Sequence, residues 1–224
     1  MERKVKITAH SGCEHTPANS LAHIQAALAA GADYFEVDVR HGPAGGLVLS
    51  HDLPAAGALT LEEAFVAGLA GAAGINCDLK EFGLVRQVLA LAEECGFAQE
   101  RLVFTGSFEM EGGDHAAFAA SKAALFLNTE LVAGFEENLR QAGQNPAPLR
   151  AQLKAIKNAG AACVNICCPL VNEALVGLCQ SGGLGVSAWT ADSGQEISRL
   201  AGLGVYNITT NFPGMAAGRL ATLF

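Results

Sequence analysis

GADYFEVDVR, residues 31–40, carries the decision about the fold. Gly31 closes a helical stretch running from Ser20 to Ala30, in the place where a left-handed cap ends a helix. The run Tyr34 to Val39 then reads as a strand. With a period of two, Phe35, Val37 and Val39 share one face, and Glu36 and Asp38 share the other. An apolar face suited to packing under helices, backed by two carboxylates at the strand's end, fits a strand whose polar side looks into the lumen of a closed barrel.

Outward from this stretch the same unit recurs. Short β-rich runs occupy Val5 to Ala9, Ile75 to Leu79, Leu102 to Thr105, Ala124 to Leu127, Cys163 to Ile166, Gly185 to Trp189 and Tyr206 to Thr209, giving eight candidate strands with Tyr34 to Val39. Helical spacing fills Leu84 to Cys95, Leu149 to Ala159, Asn172 to Gln180 and Glu196 to Ala201, and Gly96, Gly160, Gly182 and Gly204 are predicted to cap helix ends as Gly31 does. Eight βα units with no hydrophilic linker predict an α/β chain folded as one (β/α)8 TIM barrel over residues 1–224. An open doubly wound sheet has fewer strands and a Gly-rich first turn.

One unit is irregular. After Val39 come a turn-rich segment, His41 to Gly46, and another apolar run, Leu47 to Ser50, which together predict a hairpin-like excursion. Thr60 is the predicted N-cap of a helix opening at Leu61, Gly112 to His115 reads as a loop, and Asn145-Pro-Ala-Pro148 splits one helical region into two.

Half of the 224 residues are hydrophobic and 16% are charged, enough apolar material for one sizeable core. The formal charge of −8, without any run of Lys or Arg, gives no footprint for nucleic acid or an anionic membrane. Seven cysteines, including the adjacent Cys167 and Cys168, have neither zinc-site spacing nor an even count, so a reducing cytoplasm is expected. Met1 to Lys6 is charged and lacks the apolar core of a signal peptide, and no apolar run reaches the length of a membrane span.

Catalytic groups of such barrels sit at the C-terminal ends of the strands. The polar residues found there are His10, then Glu36 and Asp38, then His51 and Asp52 after the excursion, then Asp78 and Lys80, Trp189 and Asn211. Glu36 and Asp38 crowded in a lumen need a compensating cation, and Asp78 on the neighbouring strand is placed as a third oxygen donor. Hard ligands of this kind select Mg²⁺ or Ca²⁺. The alternative is that a buried Arg40 or Lys80 neutralises the pair. His10 and His51 suit an acid and base working across a phosphodiester, although either alone is more often a structural histidine. His15, His23, His41 and His115 lack that placement and are expected on the surface or in loops. Lys80 shares the face of Asp78, where it would meet either a phosphoryl oxygen or the lumen carboxylates.

Taken in order, Ala9-His-Ser-Gly12, Pro17-Ala-Asn-Ser20, Gly31-Ala-Asp33, Glu36-Val-Asp-Val-Arg40, Ser50-His-Asp52, Asp78-Leu-Lys80, Trp189-Thr190 and Thr210-Asn-Phe-Pro213 resemble the motifs of the glycerophosphodiester phosphodiesterase family across nearly the whole chain. The resemblance implies a (β/α)8 barrel with a divalent cation. Glu36, Asp38 and Asp78 would be the metal ligands, and His10, His51 and Lys80 the catalytic groups. Ser11, Trp189 and Asn211 would bind substrate, a small phosphodiester cleaved to a phosphomonoester and an alcohol. The sequence departs from the family pattern where Ser11 replaces an Arg, Ala18 a Glu, Asp78 a Glu and Asn211 an Asp. It also lacks the small subdomain usually inserted between His51 and the next helix, which implies a more open pocket. Two other readings are a barrel of the same ancestry that binds a phosphorylated ligand or partner without efficient turnover, and an isomerase or aldolase using Lys80 as a Schiff-base amine.

Overall fold

The computed structural model describes residues 5–43 and 45–223; residues 1–4, Ala44 and Phe224, with parts of the charged N-terminal stretch and of the segment His41 to Gly46 that the sequence reads as turn-rich, lie outside them. In chain order the elements are β1 (Lys6–Ala9), α1 (Leu21–Ala29), β2 (Tyr34–His41), β3 (Leu47–Leu49), α2 (Leu61–Leu69), β4 (Gly74–Leu79), α3 (Val85–Glu94), β5 (Leu102–Gly106), α4 (Gly113–Ala119), β6 (Ala124–Asn128), α5 (Phe135–Gln141), α6 (Ala147–Asn158), β7 (Cys163–Cys167), α7 (Glu173–Ser181), β8 (Gly185–Trp189), α8 (Gly194–Leu203), β9 (Asn207–Thr210) and α9 (Pro213–Ala221). The eight strands expected from the sequence are present to within two residues at each end.

Those eight strands are all parallel and run in the order β1, β9, β8, β7, β6, β5, β4, β2, and pairing of β1 with β2 (Thr8 with Tyr34, Ala9 with Phe35) closes the circle into a (β/α)8 barrel. The excursion after β2 is a hairpin: β3 lies antiparallel on β2, Val39 opposite Leu49 and His41 opposite Leu47.

Alternation along each strand builds two interiors. Outward-facing Phe35, Val37, Val39, Ile75, Cys77 and Phe104 are buried with Ile24 and Ala27 of α1 and Phe65 of α2 in the main core. A smaller cluster of Val103, Phe126 and Cys163, flanked by Tyr34 and Ala124, stands apart from that core. One strand, β6, supplies two members of it at i and i+2 (Ala124 and Phe126), and the others are the first or second residues of their strands, so it fills the lumen at the end where the strands begin. Tyr34 and Tyr206 both meet the Phe126 ring edge-on. Above this plug the inward positions turn polar. Asn207 joins Thr8 and Ser187 at 3.0 Å each, Asn165 donates to Asn128 at 2.9 Å, and Thr105 Oγ1 lies 3.0 Å from Asn76 Oδ1. Mutual pairing of these side chains meets the cost of burying them.

Side-chain caps open α1, α2, α7 and α8. Thr60 and Glu63 form a reciprocal capping box that opens α2 at Leu61. The Pro-containing break separates α5 from α6. Two expectations are corrected. Gly182 has φ −91°, and Gly183 (φ 70°) takes the left-handed position instead, because α7 runs one residue further than its pattern suggested. Gly113 to His115 begin α4 and are not loop: the Glu109 carboxylate accepts from Gly113 N at 3.1 Å, and Phe118 buries the helix's apolar side.

Asp114, 1% exposed, is the anchor of this corner, accepting from Gly83 N at 2.9 Å and Val85 N at 3.1 Å. Its replacement by Ala leaves two amides without an acceptor. Asp114→Ala is therefore expected to lower unfolding free energy by about 3 kcal/mol, read from the urea midpoint at unchanged slope.

Among the described residues no helix is long and apolar enough to cross a membrane. All seven cysteines are free thiols.

Candidate functional site

A cavity of about 490 Å³ opens at the end of the barrel where the strands finish. Its floor is the polar layer of Asn76, Thr105, Asn128, Asn165 and Thr209, and its wall includes His10, Ser11, Glu36, Asp38, Asp78 and Lys80. His51 and Trp189 complete the rim together with Glu130. Eight of the nine site residues expected from the sequence therefore face one space. The ninth, Asn211, is not among the lining residues and stands behind His10.

Parallel register explains the acidic cluster. Asp38 of β2 is paired with Asp78 of β4, and Glu36 with Asn76, so three carboxylates from two adjacent strands converge. One oxygen from each of Glu36, Asp38 and Asp78 lies within 4.8 Å of the others. The local structure holds each in place. Ser11 N donates to Glu36 Oε2 at 2.7 Å; Asn19 clamps Asp38, its Nδ2 donating to Oδ2 at 2.7 Å and its Oδ1 accepting from the Asp38 amide at 3.0 Å. Thr105 Oγ1 is 3.1 Å from Asp78 Oδ1. Gly106, at φ 77°, is required next to it, since a Cβ there would collide with the Leu79 carbonyl and the Asp78 carboxylate.

Lys80 Nζ lies 2.7 Å from Asp38 and 2.5 Å from Asp78. Of the two cations considered for the acidic pair, Lys80 takes the position, and Arg40 forms no ion pair among the described residues. One ammonium among three carboxylates leaves two negative charges in a buried lumen, the deficit that a doubly charged cation matches. Glu36, 5% exposed, registers the same deficit: burial and the nearby Asp38 and Asp78 push its carboxyl well above the usual range. The oxygen-only donor set, held by strand backbone and by Asn19, fits Mg²⁺ or Ca²⁺. Burial by itself would lower the Lys80 pKa, but the two carboxylates outweigh it and hold Lys80 protonated. That removes the neutral amine a Schiff-base mechanism requires.

The two imidazoles enter from opposite sides in sequence. His10 ends β1, and its Nδ1 is 3.1 Å from Asn211 Oδ1. Asn211 is held in turn by Asp192, which accepts from the Asn211 side-chain Nδ2 at 2.7 Å and from its backbone N at 2.8 Å. His51 follows the β3 hairpin, is 71% exposed, and has Nδ1 3.1 Å from Asp52. Only a short segment separates it from α2, so this side of the cavity is open.

His23 is a correction. Expected at the surface, it is fully buried in α1, where its Nδ1 accepts from Gly12 N at 3.2 Å and its Nε2 donates to the Glu36 carbonyl at 2.9 Å. It ties the His10 loop to the strand bearing the acidic pair. Burial lowers its pKa to about 4, partly opposed by the hydrogen bond to Glu36. With a folded value below the ordinary 6.5, neutral His23 supports the fold above that pH, and the support is lost as pH falls toward 4. Relative to His23→Gln, the wild type is expected to lose about 3 kcal/mol of stability between these limits, measured by urea unfolding across pH.

Asn19, His23, Asp192 and the lumen asparagines had no role assigned from sequence. A signal for the asparagines existed, because Asn76 and Asn165 each interrupt an apolar strand on its inward face.

No family model matches the sequence, and no curated protein matches it. Solved structures do. The fold is similar to that of a glycerophosphodiester phosphodiesterase from Parabacteroides distasonis (TM-score 0.76, 16% identity, 100% of this chain and 99% of that one). It is similar to one from Agrobacterium tumefaciens (TM-score 0.70, 19% identity, 96% and 99%). An Oleispira antarctica phosphodiesterase in complex with the product sn-glycerol-3-phosphate also shares it (TM-score 0.73, 18% identity, 96% of each chain). The likeness spans whole chains and establishes a common barrel.

Proposed function

We propose that the protein is a metal-dependent phosphodiesterase that cleaves a glycerophosphodiester or a related small phosphodiester to a phosphomonoester and an alcohol. The observation that carries the reading is the convergence of Glu36, Asp38 and Asp78 with two histidines in one cavity. Support comes from the shared fold with phosphodiesterases, one of them holding sn-glycerol-3-phosphate.

In this reading Glu36, Asp38 and Asp78 hold Mg²⁺ or Ca²⁺, which supplies charge stabilisation at the phosphoryl oxygens. The chain's own residues do the rest. Lys80 places a permanent positive charge beside the same oxygens while bracing Asp38 and Asp78. His10 and His51 share the acid and base roles across the phosphorus. Trp189 walls the pocket, and the short segment after His51 leaves the alcohol side open to solvent. Asn211 is assigned to positioning His10 instead of touching the substrate. We place the protein in the cytoplasm, in keeping with its free thiols.

A second reading, a phosphate binder without efficient turnover, is favoured by one observation. Ser11 Oγ already accepts the Asn19 amide at 2.9 Å, and among the described residues no arginine lines the cavity. Incubation with a panel of glycerophosphodiesters and Mg²⁺, followed by ³¹P spectra, separates the two. A growing phosphomonoester signal is expected from the diesterase; a shifted diester signal without product would select the binder.

A further inference from the structure

His10 has two ring nitrogens, and which of them carries the proton decides what the residue can do. Nδ1 faces Asn211 Oδ1 at 3.1 Å, and among the described residues nothing hydrogen-bonds to Nε2. Since Asn211 does not line the cavity and His10 does, Nε2 is the nitrogen left for a ligand.

A side-chain amide has a donating end and an accepting end, so an asparagine next to histidine could by itself favour either tautomer. Asp192 removes the ambiguity. As a carboxylate it only accepts, and Asn211 Nδ2 donates to Asp192 Oδ2 at 2.7 Å, while Asn211 N and Thr210 Oγ1 donate to Asp192 Oδ1 at 2.8 and 3.1 Å. With its amino end committed to Asp192, Asn211 must present its oxygen to His10. That oxygen in turn demands a proton on Nδ1.

We propose that Asp192 is a positioning residue: through Asn211 it fixes neutral His10 as the Nδ1–H tautomer and so makes Nε2 the general base, leaving His51 as the acid. The assignment of the two roles rests on the phosphodiesterase reading; the tautomer does not. In the reaction, the attacking water gives a proton to His10 Nε2 as its oxygen bonds to phosphorus. The bond from phosphorus to the leaving alcohol breaks with its electron pair on oxygen, which takes a proton from the His51 imidazolium. The imidazolium formed at His10 keeps Nδ1–H on Asn211.

The experiment is a pair of readouts on ¹⁵N-labelled full-length protein. Long-range ¹H–¹⁵N spectra at a pH above the usual imidazole range, with His10 assigned by its loss in His10→Gln, report the tautomer, and diester turnover is followed on the same samples. The wild type is expected to show His10 protonated on Nδ1. In Asp192→Asn the amide at 211 is free to turn, so the spectrum shifts toward the other tautomer and kcat falls about 10- to 100-fold at little change in KM. The exchanged pair Asp192→Asn with Asn211→Asp puts the acceptor directly on Nδ1, and it is expected to restore both readouts. A wild-type His10 protonated on Nε2 overturns the proposal even if diesters are hydrolysed and whether or not the variants fold. So does an Asp192→Asn protein with unaltered tautomer. Correct tautomers in a protein that cleaves no diester count against the phosphodiesterase reading alone.

Discussion

His10→Gln is expected to lower diester turnover by roughly 100- to 10,000-fold, the range of a lost general acid or base, while leaving cation affinity unchanged. The separation of the two effects follows from geometry. His10 bonds to Asn211 and not to any of the three carboxylates, and its backbone neighbours, not its ring, support the acid cluster: Ser11 N holds Glu36. Glutamine keeps an amide that can reach Asn211 but has no titratable nitrogen. Turnover measured at saturating substrate beside a calorimetric cation titration checks both halves. A variant that turns over normally removes His10 from the chemistry.

A second large effect is expected from Asp38→Asn. Asp38 is 4% exposed and faces Lys80, Asn19 and Asp78 at once. Neutralising it leaves two carboxylates against one ammonium, a charge balance with less room for a divalent ion. Turnover is expected to drop on the order of 1,000-fold, about 4 kcal/mol of transition-state stabilisation, with partial recovery at high cation concentration. Because Asn19 Nδ2 can still donate to the remaining oxygen, the fold is expected to survive, as a thermal melt will show. Full activity in Asp38→Asn at low cation would show that the cluster does not hold the ion.

The barrel was legible because its pattern is local. Each strand advertises itself by alternation and several helices by a cap, as at Thr60, and short-range signals of this kind need no tertiary knowledge. The carboxylate pair was legible for the same reason, Glu36 and Asp38 being two apart on one strand. The convergence of Asp78 required the parallel register of β2 and β4, which the order of the strands implied but did not spell out.

What escaped the sequence was relational. His23 stands four residues before Ala27, on the buried stripe of α1, so a helical wheel could have put it in the core. Nothing local announces that it joins Gly12 to the Glu36 carbonyl. Asp192 lies beyond the end of β8, and its partner is 19 residues away. Only the adjacency of β8 and β9 brings the two together. The sequence left Lys80 two partners, phosphate or lumen carboxylate, and its ion pairs with Asp38 and Asp78 supply the second without excluding the first.

The measurement closest to the central claim is a calorimetric titration of chelator-treated protein with Mg²⁺ and with Ca²⁺, repeated in buffers of different ionisation enthalpy. Burial and the neighbouring Asp38 and Asp78 raise the pKa of the Glu36 carboxyl, so proton and cation compete for it and affinity is expected to rise with pH. The account predicts one saturable site per chain, heat that varies with the buffer because protons are released, and loss of the site in Glu36→Gln. Absence of saturable binding, or binding that Glu36→Gln leaves intact, would contradict it.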